Sequence, residues 1–230
     1  MSRLNNSSRS PLLCYVTDRR SLPLTEPGEA VENLLAKIGA ASAAGVDWIQ
    51  IREKDLSGRE YTLLTREALR RATKWQASNS AATRILVNDR LDVALAERAS
   101  GVHLAENGLP LPEAKRLANA QTPGQDFLVG VSCHSLEAAR SAADGGASYL
   151  FFGPVYATPS KAAFGAPQGL ERLGAVCRAA SIPVLAIGGI TLANAAACLA
   201  AGASGIAAIR LFQDAPDISS LVQSLRKLTR

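Results

Sequence analysis

The chain has 230 residues, 47% of them hydrophobic, which is enough for one large domain or two small ones with a sizeable core. No apolar run approaches the roughly 18 residues that a membrane-spanning helix needs, so a membrane is not an expected partner. The formal net charge is +5, but the cations are scattered. The densest runs, Arg66–Lys74 and Arg226–Arg230, lack an interleaved aromatic platform and read as solvated helix faces, so nucleic acid is not expected either.

Residues 1–10, MSRLNNSSRS, are basic without an apolar segment behind them, which predicts a disordered tail ahead of a domain spanning 11–230. A strand over Leu12–Val16 leads into Thr17 and Asp18. Ala, Leu and Ile at three- and four-residue spacing predict a helix over Gly28–Ala44, stopped by Gly45. The second strand is Val46–Ile51, and Ser57 opens a helix that reaches toward Ser78. Then come a strand at Ile85–Val87 ending in Asn88–Asp89, a helix at Leu91–Glu97, a strand at Val102–Leu104 and a helix at Pro112–Asn119. Leu128–Val131 and Ser135–Ala143 form the fifth pair. Tyr149–Phe152 is followed by a long loop, Gly153–Pro167, whose length and Gly and Pro content suit a gate, and by a helix at Leu170–Ala179. Pro183–Ile187 and Leu192–Ala200, then Gly205–Ile209 and Ile218–Leu228, complete the series.

Eight strand–helix alternations, several with unbroken apolar strands, predict an α/β chain folded as a single (β/α)8 TIM barrel. A doubly wound open sheet is the rival and usually has fewer units. The phrases AAGVDWIQIR, RASGVHLAE, DGGASYLFFG and AAGASGIAAIR repeat one helix end, a small-residue turn and a strand, as expected when one βα unit is reused. Cys14, Cys133, Cys177 and Cys198 stand at no metal-ligand spacing. They read as reduced, buried thiols of a cytoplasmic protein.

In such barrels the chemistry sits at the carboxyl ends of the strands. Gln50, Arg52 and Lys54 alternate on one face there, an amide and two cations poorly suited to a dry core and well suited to an anion. Taken alone, the segment also fits an edge strand with a solvated face. The other strands hand Thr17, Asp18, Asn88, Asp89, His103, Ser132, His134, the GPVYATPSK loop, Gly188–Gly189 and Arg210 to the same rim. Gly188–Gly189 precede a helix start, where backbone N–H groups can approach an oxyanion, although a Gly pair also relieves steric crowding. Asp89 is also placed to cap the helix opening at Arg90, the lesser alternative to a ligand role. His103 reads as a hydrogen-bonded core histidine, Asp18 as a turn residue, Trp48 and Phe151–Phe152 as packing groups, and Tyr156 as a pocket wall.

The segments LLCYVTD, IQIREKD, ILVNDRLDVALA, GVHLAE, GVSCHSLEAA, FFGPVYATPSK, IPVLAIGGIT and GASGIAAI together resemble the family of thiamine phosphate synthases and TenI-type thiazole tautomerases, over nearly the whole folded chain. The resemblance implies a barrel that couples hydroxymethylpyrimidine pyrophosphate to thiazole phosphate with release of pyrophosphate. It implies that Gln50, Arg52 and Lys54 bind the pyrimidine and its pyrophosphate, with Asn88 beside them. Asp89 would be a Mg²⁺ ligand and Ser132 a pyrophosphate contact. Thr158, Ser160 and Lys161 would hold phosphate groups, and Gly188 and Gly189 the thiazole phosphate. Arg52, Lys54 and Lys161 would then stabilise the leaving group.

Two departures from the family pattern are visible. A second acidic metal ligand is replaced by Gly108, with Glu106 or Asn107 as candidate substitutes, and a Ser after the eighth strand is replaced by Arg210. TenI-type enzymes also lack that second Asp, and His134 stands where their catalytic His does. The alternatives are therefore an isomerase acting on a thiazole phosphate, or a non-catalytic binder of a thiamine-related phosphate. Barrels of this size also suggest a homodimer packed through helix faces.

Overall fold

Runs of four to six residues, dominated by Val, Ile, Leu and aromatic side chains, form the strands of this chain, and each is too short to bury itself without neighbours. In the computed structural model, which describes residues 10–22, 28–74, 82–158 and 166–228, they close into one all-parallel barrel in the order β1 to β8. The strands are β1 (Leu12–Val16), β2 (Trp48–Ile51), β3 (Arg84–Asn88), β4 (Gly101–Leu104), β5 (Leu128–Cys133), β6 (Tyr149–Phe152), β7 (Val184–Ile187) and β8 (Gly205–Ala208). The helices are α1 (Ala30–Ala43), α2 (Gly58–Lys74), α3 (Leu91–Ala96), α4 (Leu111–Gln121), α5 (Leu136–Asp144), α6 (Gly169–Ala179), α7 (Leu192–Ala200), α8 (Arg210–Gln213) and α9 (Ile218–Arg226).

The barrel expectation is met, and β6 and α7 have the predicted bounds. α8 was missed because four residues carry no readable helical period. The proposed extension of α2 toward Ser78, most of the predicted tail and the centre of the Gly153–Pro167 loop lie outside the described residues.

Alternation along each strand divides the apolar side chains into two shells. Leu13, Tyr15, Ile49, Ile51, Ile85 and Val87 point outward against α1, α2 and the other helices. Burying each such side chain stabilises the fold by roughly 1.5–3 kcal/mol. Cys14, Val16, Trp48, Leu86, Tyr149, Phe151, Leu185 and Ala207 fill the barrel interior. Trp48 and Phe151–Phe152 are thus packing groups, as expected. The register joins Asn88 to His103, His103 to Gly130 and Gly130 to Tyr149, making one inward layer. Gly130 is required there: a Cβ on it would come 2.0 Å from the Tyr149 ring, which crosses the barrel over that backbone. Below this layer Arg226 of α9 closes the floor. Its guanidinium meets Asp47 at 2.9 Å and the Gly45 carbonyl at 2.7 Å.

Candidate active site

The carboxyl ends of the strands enclose a cavity of about 430 Å³. Gln50, Arg52 and Lys54 contribute to one side, Asn88, Asp89, Glu106, Ser132 and His134 to another, and Thr158, Gly188, Gly189 and Arg210 to a third. These described residues, expected at the site from the sequence, therefore line one space, whereas Thr17, Asn107 and Tyr156 do not. Ser160 and Lys161 lie outside the described residues. A second concavity, of about 590 Å³, lies at the amino ends, where Arg226 is paired with Asp47 and Arg84 with Asp126. Two of the three cations that line it are thus held by carboxylates, and Lys227 is exposed at its edge.

A chain of hydrogen bonds fixes the polarity of two amides. Asp89 accepts from the Ala105 N–H at 2.7 Å through Oδ1 and from Asn88 Nδ2 at 2.8 Å through Oδ2. A carboxylate only accepts, so Asn88 must turn its NH₂ to Asp89 and its Oδ1 to Gln50. Gln50 then donates from Nε2 to Asn88 Oδ1 at 2.7 Å, which leaves its Oε1 buried and without a donor. An orphaned buried acceptor at a cavity floor is a place for a ligand N–H. The helix-cap role open to Asp89 is not the one it plays: Asp89 adopts φ 58 and ties the end of β3 to the start of the β4 loop, while α3 begins after Arg90 with no side-chain cap.

His103 is a hydrogen-bonded core histidine, as expected, yet it also reaches the cavity. Its Nδ1 lies 3.0 Å from the Tyr149 hydroxyl and its Nε2 2.9 Å from Ser132 Oγ. Burial, assisted by the nearby Arg52 charge, pushes its pKa down to about 3, so the ring is neutral near pH 7.

The sequence reading overlooked Glu53, whose side chain points away from the cavity, opposite to Gln50 and Arg52. Thr17 Oγ1 donates to Glu53 Oε1 at 2.6 Å and accepts from the Arg52 backbone N–H at 2.9 Å. The Arg19 backbone N–H donates to Glu53 Oε2 at 3.0 Å, and the Arg19 guanidinium bridges Glu53 to Asp55. Burial pushes the Glu53 carboxyl up, while the Thr17 and Arg19 donors oppose that shift. This brace behind the strand holds the Arg52 backbone in place. The alternation that sends Gln50, Arg52 and Lys54 inward was the available signal, since it puts Glu53 behind the sheet. Asp18 is a turn residue, as read: its carbonyl accepts from Ser21 N–H at 3.0 Å, and Gln213 of α8 clamps its backbone.

Gly188 and Gly189 both have positive φ, 93° and 65°, a conformation that favours glycine. A Cβ on Gly188 would meet Pro154 at 2.5 Å, and one on Gly189 would meet the Ala157 carbonyl at 2.6 Å, so the pair also makes room for the loop after β6. Tyr156 corrects an expectation. It does not line the cavity but packs on the outer core with its hydroxyl toward Cys198, because the backbone of that loop lies against Gly189 and turns the ring outward.

Glu106 enters the cavity, whereas Asn107 is exposed and stays outside it. His134 Nδ1 is bonded to the Gly153 carbonyl, and its Nε2 faces Glu106 Oε2 at 3.8 Å. A Cβ on Gly108 would lie 3.3 Å from Asp89 Oδ1, so the residue type at 108 decides whether Asp89 has a carboxylate neighbour. Among the described residues no three His, Cys, Asp or Glu side chains gather to hold a metal. Mg²⁺ needs only one or two carboxylates when phosphate oxygens complete its shell. Asp89 and Glu106 both line the cavity, so these carboxylates would be offered to an ion arriving with its ligand.

An eight-stranded parallel barrel with a cationic, partly amide-lined cavity at the carboxyl ends defines the class: a (β/α)8 barrel with its polar site at the usual end. The comparisons narrow it. A family model described as thiamine monophosphate synthase matches residues 21–212, and the chain belongs to that family. A thiamine-phosphate synthase of Moorella thermoacetica is 40% identical over 194 residues, 84% of this chain and 87% of that one. A thiamine-phosphate synthase of Methanoculleus marisnigri is 44% identical over 186 residues, 81% of this chain and 83% of that one. The solved thiamine phosphate pyrophosphorylase of Pyrococcus furiosus superposes with a TM-score of 0.75 at 33% identity, covering 94% of this chain and 95% of that one.

Proposed function

We propose that this chain is a transferase of thiamine biosynthesis that joins hydroxymethylpyrimidine pyrophosphate to thiazole phosphate, releasing pyrophosphate and forming thiamine phosphate. The observation that carries this reading is the meeting of Arg52, Lys54 and Arg210 with the orphaned Gln50 acceptor in one cavity. The family membership and the names of its relatives support it.

In a dissociative displacement, positive charge grows on the pyrimidine methylene while the departing pyrophosphate gains negative charge. Stabilising the leaving group is therefore the main catalytic work. Arg52 offers a planar fork of donors to pyrophosphate oxygens, Lys54 a mobile point charge, and Ser132 a hydroxyl. Lys161, with Thr158 and Ser160, completes the phosphate set in this reading. Gln50 Oε1 suits an amino N–H of the pyrimidine, and Asn88 holds Gln50 in that orientation. The Gly188–Gly189 backbone and Arg210 suit the thiazole phosphate. The thiazole nitrogen attacks with its own lone pair, so no general base is needed. Asp89 and Glu106 would hold Mg²⁺, which would supply charge neutralisation on the pyrophosphate.

A second reading, an isomerase acting on the thiazole phosphate, is favoured by His134: the bond from Nδ1 to the Gly153 carbonyl leaves Nε2 as a proton acceptor beside Glu106. Residence in the cytoplasm is part of the proposal, supported by four free thiols, three of them buried. So is a homodimer, supported by half-exposed Leu63 on α2 and by Leu192 on α7. No helix among the described residues is long and apolar enough to cross a membrane.

Calorimetric titration with pyrophosphate, with and without Mg²⁺, alongside an assay for thiamine phosphate, tests the transferase. Tight binding that needs Mg²⁺ and product from both substrates is expected. No binding in either condition and no product would overturn it, and turnover of thiazole phosphate alone would favour the isomerase.

A further inference from the structure

His103 is not among the groups that would touch the departing pyrophosphate, yet it is buried and both its ring nitrogens are engaged. The protonation pattern of this ring follows from its neighbours. The Tyr149 side chain is fully buried, and His103 Nδ1, at 3.0 Å, is the hydrogen-bond partner of its hydroxyl among the described residues. If Nδ1 carried the ring proton it would donate to Tyr149, and the phenol's own proton would be left buried and unpaired. The satisfied arrangement is the reverse: the Tyr149 O–H donates to Nδ1, so the neutral ring carries its proton on Nε2. Nε2–H then donates to Ser132 Oγ at 2.9 Å. With that lone pair occupied, the Ser132 proton turns to the cavity that the side chain lines.

We propose that Tyr149 and His103 are positioning residues that fix Ser132 as a hydrogen-bond donor, aimed at an anionic oxygen of the bound phosphate group. Gly130 makes the arrangement sterically open, since only a residue without Cβ lets the Tyr149 ring cross to His103. The relay also sets specificity. A ligand that places an N–H opposite Ser132 meets a proton instead of a lone pair. Hydrogen bonds in series polarise one another, so the outermost hydroxyl is a stronger donor than an isolated serine. The inference rests on the reading above only for the identity of the acceptor, a pyrophosphate oxygen.

The chain contains two histidines, so ¹⁵N-histidine labelling yields four ring nitrogens, and the His134→Gln spectrum assigns them. A pyrrole-type Nε2 and a pyridine-type Nδ1 are expected for His103, with that preference lost in Tyr149→Phe. Inorganic pyrophosphate binding, measured calorimetrically with Mg²⁺, supplies the second readout. His103→Gln keeps an N–H donor near the place of Nε2 and is expected within about 3-fold of the parent protein. His103→Leu and Ser132→Ala are each expected to weaken binding by about 10-fold or more, as for loss of a hydrogen bond to a charged group. A merely space-filling role would leave Leu no worse than Gln. An Nδ1–H tautomer in the parent protein would overturn the proposal, as would full affinity in Ser132→Ala or in a folded His103→Leu. If His103→Leu does not fold, the spectrum and Ser132→Ala decide. A parent protein that binds no pyrophosphate removes the functional reading, while the spectrum still decides the relay.

Discussion

Gly108→Asp probes how the acidic corner of the cavity is built. The backbone at 108 points a Cβ toward Asp89 Oδ1 at 3.3 Å and does not require positive φ, so an Asp fits after a small shift away from the Ala105 carbonyl. Its carboxylate would stand about 4 Å from that of Asp89, where two like charges repel by ~1 kcal/mol in water and ~4 kcal/mol at an effective dielectric of 20. Asp89 is exposed, so the lower end of that range applies, about 1 kcal/mol and a fall in Tm of a few degrees in metal-free buffer. Mg²⁺ should reverse the sign, because paired carboxylates bind a hard cation better than one. Thermal unfolding of both proteins with chelator and with millimolar Mg²⁺ measures the effect. A Gly108→Asp protein with the parent Tm in chelator and no gain from Mg²⁺ would refute the placement of residue 108 beside Asp89.

Arg52→Ala should leave Tm nearly unchanged, since Thr17 holds the Arg52 backbone N–H rather than its guanidinium, and should weaken pyrophosphate binding more than 10-fold by calorimetry. Unchanged binding would take the Gln50, Arg52 and Lys54 face out of the site. Gly130→Ala should destabilise by ~3 kcal/mol or more, measured by urea unfolding, because the new methyl falls inside the Tyr149 ring. Combining it with Tyr149→Ala should recover part of that loss.

The strand order and most of the cavity were legible because period-2 alternation and turn glycines are local signals. Gln50, Arg52 and Lys54 fall on one face by parity alone, and the structure keeps them there. What escaped were relations between distant segments. Parity alone puts Glu53 behind the sheet, but only the approach of Thr17 and Arg19 from the segment after β1 makes it a buried brace. The pairing of His103 with Tyr149 depends on a ring passing over Gly130, and no spacing in the chain reports that. For Asp89 the helix cap stood as the alternative to a ligand role; its φ of 58 turns the side chain to Ala105 and not to the start of α3. Tyr156 resembled a wall, but loop membership says nothing about which way a ring turns.

The run from Asp89 through Asn88 to Gln50 gives a surface residue command over chemistry at the bottom of the cavity. The ligand meets Gln50, but which end of that amide it meets is dictated two links away. Exchange of Asp89 for a residue that donates would allow both amides to rotate by half a turn and would present an N–H where an oxygen now stands. Recognition of a ring with the opposite pattern of donors and acceptors is thus one substitution away, at a position the ring never touches. Selection acting on the rim can in this way retune the floor while the packed barrel beneath it stays the same.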